Sequence, residues 1–242
     1  MALRIGFDLD GVLADMEDAI IREATKLFGT APLQPAEQGR TPASMTDLMP
    51  EEMTDNAPLR HELQLTERQR RKLWRHVRSI DNFWESLAEI EPGSVERLAR
   101  LAENRRWEVI FLTRRPATSG RTAQLQSQLW HEKMGFRLPS VFVVTGSRGL
   151  IAASLMLDIV VDDTPENCMD VAADSRARTI AIFRNRESLP PTALDRMGIQ
   201  IVESTAQCLD LLAKIDSSLA RQHTSRFERV MQKLGLREPT SA

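Results

Sequence analysis

Phe7-Asp8-Leu9-Asp10-Gly11-Val12-Leu13-Ala14-Asp15 is the stretch on which the reading of the fold turns. It closes a short apolar run, Leu3 to Leu9, that is cut off at Asp10-Gly11. Such a run, ending in a turn signal, predicts a buried β-strand. The strand delivers two carboxylates, Asp8 and Asp10, with Leu9 between them. Period-two alternation sends both side chains to the same side. Two adjacent carboxylates repel unless a cation or a proton is shared, so Asp-x-Asp at the end of a buried strand invites a hard divalent ion such as Mg²⁺.

Further strands of the same kind follow. Trp107 to Leu112, Ser140 to Val144, Ile159 to Val161, Thr179 to Phe183 and Ile199 to Val202 are short and apolar. Several end at polar or turn residues: Thr113-Arg114-Arg115-Pro116, Thr145-Gly146-Ser147, and Asp162-Asp163-Thr164-Pro165. Helical spacing separates them over Val95 to Ala102, Thr122 to Met134, Gly149 to Met156 and Glu166 to Ala173. The fold class that follows is α/β: a Rossmann-like parallel sheet with helices on both faces. Right-handed crossovers place every strand's carboxyl end on one edge, and ligands bind beyond that edge.

One interval breaks the alternation. No convincing strand stands between Leu13 and Glu91; residues 15–29 and 66–80 look helical, and 30–60 look like loop and short helix. This connection is far longer than a crossover needs. We read residues 15–90 as an inserted, mostly helical cap, with 1–14 and 91–204 as the core. Residues 205–242 read as a C-terminal helical extension with one apolar face at Leu209, Leu212 and Ile215 and another at Phe227, Val230, Met231 and Leu234.

Composition narrows the function. The chain has 242 residues, 42% hydrophobic and 27% charged, with a formal net charge of −2. That balance gives no electrostatic reason to expect a nucleic acid polymer or a membrane surface as partner. No apolar run reaches membrane-span length, and the N-terminus makes a poor signal peptide, so the expected compartment is cytoplasmic. Cys168 and Cys208 build no disulfide framework. His61, His76, His131 and His223 have no metal-binding spacing.

The end-of-strand residues taken together carry more than any alone: carboxylates after the first strand, a hydroxyl after the second, a cation after the third and carboxylates after the fourth. Asp162-Asp163-Thr164-Pro165 also reads as a helix start, with Asp163 or Thr164 as cap and Pro165 at the first helical position. The two readings are compatible.

The run Phe7 to Asp15 resembles the first motif of the haloacid dehalogenase-like (HAD) superfamily of phosphohydrolases. Ile110-Phe111-Leu112-Thr113 resembles its second motif and Ile159-Val160-Val161-Asp162-Asp163 its fourth. The likeness spans residue 3 to about residue 185, with the cap where one branch of the family inserts it. The third motif usually carries Lys; here no Lys occurs between Lys133 and Lys214, and Arg148 is the candidate substitute. Arg keeps the charge and can bridge a carboxylate and a phosphate, though it is larger and less mobile.

The resemblance implies a Mg²⁺-dependent phosphatase acting on a small phosphomonoester through an aspartyl-phosphate. Asp8 would be the nucleophile and Asp10 the acid and base. Thr113 would hold a phosphoryl oxygen, and Arg148 would offset negative charge. Asp8, Asp162 and the backbone carbonyl of Asp10 would hold the metal, with Asp163 supporting them without touching it. Phe83-Trp84-Glu85-Ser86-Leu87 followed by Pro92-Gly93 is similar to the corresponding region of the 5′(3′)-deoxyribonucleotidases. Asp15, Met16, Phe83 and Trp84 are the candidates to face the leaving group, with packing as their competing role, and Arg114-Arg115 either help hold a phosphate or line the solvent. The expected partner is a small phosphorylated metabolite, with a nucleotide as one candidate, and a homo-oligomer stays open. Two alternatives share the motifs: a phosphosugar mutase of the same superfamily, and a non-catalytic HAD-like binding protein.

Overall fold

The structure, a computed structural model, describes residues 2–29, 33–34, 62–63, 65–184, 194 and 196–233. Six strands form one sheet in the order β5-β4-β1-β6-β7-β8: β1 Arg4–Asp8, β4 Glu108–Thr113, β5 Ser140–Val143, β6 Ile159–Asp162, β7 Arg178–Ile182 and β8 Gln200–Val202. Every pairing in it is parallel. Between them run α3 Ser94–Arg105, α4 Ala123–Lys133, α5 Arg148–Ser154 and α6 Pro165–Asp174, and α7 Thr205–Lys233 follows β8.

Alternation along the strands shows why both faces are covered. Ile5, Phe7, Phe111, Val161 and Ile180 pack with Val95 and Leu98 of α3, Trp130 of α4, and Leu209 and Leu212 of α7. Ile110, Leu112 and Val160 pack in a separate cluster with Ala152 of α5 and Val171 of α6. Strands buried on both faces need no polar side, hence the near-continuous apolar runs. A fully buried aliphatic or aromatic side chain contributes about 1.5–3 kcal/mol relative to an exposed one, and β1 lies at the centre of this arrangement.

The six strands lie where the sequence places them, within a residue or two. Two differences appear elsewhere. Leu33–Gln34 (β2) and Glu62–Leu63 (β3) form a short antiparallel pair inside the interval read as strand-free. A two-residue strand has too few positions to show periodicity. The rest of the 30–60 reading lies outside the described residues, as do the side chains of Phe227, Val230, Met231 and Leu234. The first half of α7 packs into the core: Cys208, Leu209 and Leu212 have no exposed surface, so the division drawn at residue 205 falls inside the packed unit.

Helices α1 Met16–Phe28 and α2 Glu67–Ser79 are joined by buried Glu23, which meets His76 at 2.9 Å and Lys26 at 2.6 Å. Thr66 and Gln69 form a capping box at the start of α2. The chain leaves and re-enters the core side by side: Asp15 N–H donates to the Ala88 carbonyl at 2.9 Å and Ile90 N–H to the Leu13 carbonyl at 2.9 Å. Glu91 then ties the return segment to the start of α7, accepting from Thr205 N–H at 2.7 Å, Ala206 N–H at 3.0 Å and Arg184 at 3.0 Å. Burial pushes this carboxyl up, but those bonds and the Arg184 charge outweigh it and leave it below the usual carboxylate range. Among the described residues no helix is long and apolar enough to cross a membrane.

Candidate active site

β1 ends at Asp8, and the chain turns at once. Leu13 and Ala14 N–H both donate to the Leu9 carbonyl at 2.8 Å. Gly11 sits in this turn at φ 87°, and a Cβ there would lie 1.7 Å from Asp163 Oδ2. Both the backbone angle and the contact with Asp163 therefore demand glycine. Because the strand stops at Asp8, alternation no longer governs Asp10. The two carboxylates face different partners, contrary to the expectation from period two.

Asp8 accepts from Arg148 Nη2 at 2.5 Å. Arg148 is the first residue of α5 and has no exposed surface. Ser147 caps this helix, accepting from Leu150 N–H at 3.3 Å while its hydroxyl donates to Asp170 at 2.6 Å. At Gly149 a Cβ would lie 2.2 Å from the Asp170 carbonyl oxygen, so α5 and α6 approach more closely than any larger residue permits. That approach sets Arg148 between β1 and β6, where its Nε lies 3.6 Å from Asp162 Oδ2. Asp8 and Asp162 thus share one guanidinium, on neighbouring parallel strands and at the same edge of the sheet.

Asp162 is anchored from the α6 side. Thr164 N–H donates to it at 2.9 Å and the Asn167 amide reaches both oxygens at 3.2 Å. Thr164 occupies the N-cap position without a side-chain cap bond, and Pro165 opens the helix as expected. Asn167, in the first turn of α6, is a site residue the sequence reading missed; no motif marks it.

Asp10 faces β4. The Thr113 hydroxyl donates to its Oδ2 at 3.1 Å. Arg115 grips both oxygens, with Nη2 2.7 Å from Oδ1 and Nε 2.9 Å from Oδ2. Arg114 and Arg115, the pair after the second strand, take different places. Arg115 is the buried one on the carboxylate, whereas Arg114 is half-buried and donates to the Gly146 carbonyl at 3.1 Å. Asp15 caps α1 through the Asp18 N–H, at 3.1 Å. Phe83 and Trp84 are buried edge to face, ring centroids 4.9 Å apart, and the Trp84 face lies against Arg115 rather than open to a ligand.

Three carboxylates, Asp8, Asp10 and Asp162, meet two buried guanidiniums, and Asp163 lies against the Gly11 turn, so the site remains rich in hard, anionic oxygen. Among the described residues no group of three or more His, Cys, Asp or Glu side chains gathers in a metal-holding cluster. Asp8 and Asp162, which meet the same guanidinium, are a donor pair suited to a divalent ion that fills its remaining positions with carbonyl, phosphate or water oxygen. Nearby titratable groups are silenced. Burial, then the charges of Asp162, Asp163, Asp8 and Glu166, pushes the Cys168 thiol well up, so it is no nucleophile. His131 is brought down to about 3 chiefly by burial, so it is neutral at working pH.

The family model described as 5′ nucleotidase, deoxy (Pyrimidine), cytosolic type C protein matches residues 2–188. No curated protein matches the chain. Solved structures share the fold. A HAD family hydrolase from Deinococcus radiodurans R1, with bound phosphate and sodium, is 13% identical with a TM-score of 0.51, covering 88% of this chain and 96% of its own. A phosphonoacetaldehyde hydrolase like protein from Oleispira antarctica is 15% identical with a TM-score of 0.51, covering 91% of this chain and 94% of its own.

Proposed function

The chain belongs to the family of 5′ nucleotidases described as deoxy (pyrimidine), cytosolic type C, within the HAD phosphohydrolases, and from that premise we propose that it is a Mg²⁺-dependent phosphomonoesterase, acting on a nucleoside monophosphate through an aspartyl-phosphate on Asp8. The observation that carries this reading is the shared guanidinium of Arg148, which gathers Asp8 and Asp162 at one point of the sheet edge.

Asp8 attacks phosphorus in line, forming the Asp8 Oδ–P bond as the bond from phosphorus to the ester oxygen breaks. Asp10 gives its proton to the departing alkoxide. A water molecule then attacks the aspartyl-phosphate, Asp10 takes a proton from it, and inorganic phosphate leaves with Asp8 restored. Mg²⁺, when held by the Asp8 and Asp162 carboxylates and the Asp10 carbonyl, supplies charge neutralisation at the phosphoryl oxygens. Arg148 adds fixed positive charge beside Asp8. The Thr113 hydroxyl, which donates to Asp10 here, donates to a phosphoryl oxygen when substrate is bound. Asp163 supports the turn at Gly11 from beneath. Arg114 and Asp15, both partly exposed, are the substrate-side residues this reading retains.

The test is phosphate release from a panel of nucleoside monophosphates, sugar phosphates and p-nitrophenyl phosphate, with Mg²⁺ or with chelator. Wild type turns over nucleoside monophosphates only with Mg²⁺, and Asp8→Asn lowers the rate by roughly 10³-fold or more, as loss of a covalent nucleophile does. Equal rates for wild type and Asp8→Asn would remove the proposed chemistry.

A further inference from the structure

We propose that Arg115 is a positioning residue that sets the plane of the Asp10 carboxylate, and that Trp84, from the segment returning out of the cap, holds Arg115 in that pose. The inference rests on the reading of Asp10 as acid and base.

The geometry is that of a fork on a fork. Arg115 Nη2 and Nε each meet a different oxygen of Asp10, at 2.7 and 2.9 Å, which fixes the rotation of the carboxylate as well as its place. The remaining Arg115 terminal nitrogen, Nη1, donates to the Ser127 hydroxyl at 2.9 Å, and that hydroxyl donates to the Ala123 carbonyl at 2.8 Å. The Arg115 side chain has no exposed surface, so it cannot swing away. Its guanidinium carbon lies 5.1 Å from the centre of the Trp84 ring. Asp10 follows the last residue of β1 by two positions, in a turn where the strand no longer fixes its direction, so an external brace is needed to aim it.

Trp84 is itself fixed to the segment that carries Arg115. Its indole N–H donates to the Pro116 carbonyl at 2.9 Å, and its backbone N–H to Gln126 Oε1 at 3.0 Å. Four further ties join the same two segments. Asn82 N–H donates to the Ser119 carbonyl at 2.9 Å, and Arg121 N–H to the Asn82 side chain at 2.9 Å. Arg121 pairs with Glu85 at 3.1 Å, and the Ser119 hydroxyl donates to Asp81. The return from the cap and the loop after β4 therefore behave as one piece, and the orientation of Asp10 is set by that piece.

A brace on a general acid has a signature that a structural ion pair lacks. An alkyl phosphate needs its leaving oxygen protonated; p-nitrophenolate departs without a proton. In Arg115→Gln, kcat/KM for a nucleoside monophosphate falls roughly 30-fold or more, and for p-nitrophenyl phosphate under about 5-fold, as expected for loss of acid assistance. KM for the nucleotide stays within about threefold, because Arg115 binds no substrate atom in this role. In the Asp10→Asn background the same substitution costs under about threefold, because it acts only through Asp10. Arg115→Lys keeps the charge without the fork and shows the same substrate dependence to a smaller degree, and it carries the comparison should Arg115→Gln not fold. Trp84→Leu moves the substrate ratio in the same direction as Arg115→Gln. Equal losses on both substrates, or losses that multiply in the Asp10→Asn background, would overturn the proposal. An impaired Asp10→Asn beside an unimpaired Arg115→Gln refutes this proposal alone; an unimpaired Asp10→Asn refutes the underlying reading.

Discussion

Arg148→Met removes a cation that two buried carboxylates share, and its cost in the metal-free protein can be worked from the site. The Arg148 side chain is 0% exposed, Asp8 7% and Asp162 1%, so water cannot take the place of the lost charge. Removing one partner of a buried ion pair costs about 3–5 kcal/mol, because the other charge is left uncompensated. Asp162 retains its bonds from Thr164 N–H and Asn167, but both it and Asp8 lose the cation they share. For a protein of this length 1 kcal/mol corresponds to roughly 2–4 °C in Tm, so the expected fall is on the order of 10 °C. The assay is thermal unfolding followed by circular dichroism, in chelator and in millimolar Mg²⁺. Mg²⁺ supplies the missing positive charge, so it raises the Tm of Arg148→Met by more than that of wild type. Arg148→Lys, with the charge but one point of attachment, loses about 1–2 kcal/mol. A metal-free Arg148→Met protein melting within about 2 °C of wild type would refute the reasoning, since it would mean less than about 1 kcal/mol at stake.

Two further outcomes follow from the packing around the site. Gly11→Ala puts a Cβ 1.7 Å from Asp163 Oδ2 in a turn at φ 87°, so it loses about 1–3 kcal/mol and most activity together; wild-type turnover in this variant, measured alongside its melting curve, would contradict the account. His131 carries its proton only near pH 3 in the folded chain but near 6.5 unfolded. Below pH 6.5 the unfolded state therefore binds the extra proton, and stability falls as pH drops towards 3. By pH 5 this group alone removes about 2 kcal/mol, so the stability gap between wild type and His131→Asn, from urea unfolding, narrows by that amount between pH 7.5 and 5; parallel pH curves for the two proteins would count against it.

The order of strands and helices was legible because a strand buried on both faces must be apolar throughout, and a helix between strands must repeat at three and four. Phe7, Phe111, Val161 and Ile180 on one face, and Ile110, Leu112 and Val160 on the other, are read directly from that constraint. The polar residues that gather at the candidate site were also legible, since polar residues at the ends of apolar strands stand out: Asp8, Asp10, Thr113 and Asp162. The β2–β3 pair was not, because two residues carry no period.

What each of those residues touches was decided only by the tertiary structure. Asp8 and Asp10 are two positions apart in the chain, yet one meets a guanidinium from α5 and the other a guanidinium from the loop after β4. Nothing local distinguishes Arg115 from Arg114; one is buried and aimed because Trp84, more than 30 residues away in the chain, closes over it. Arg148 gains its place from the glycine beside it and the helix that glycine lets approach. Chain periodicity reports which face of an element is buried, a property of neighbours in sequence. Direction and partnership of a charged side chain depend on which distant segments arrive around it, and that is settled only when the sheet and its helices pack.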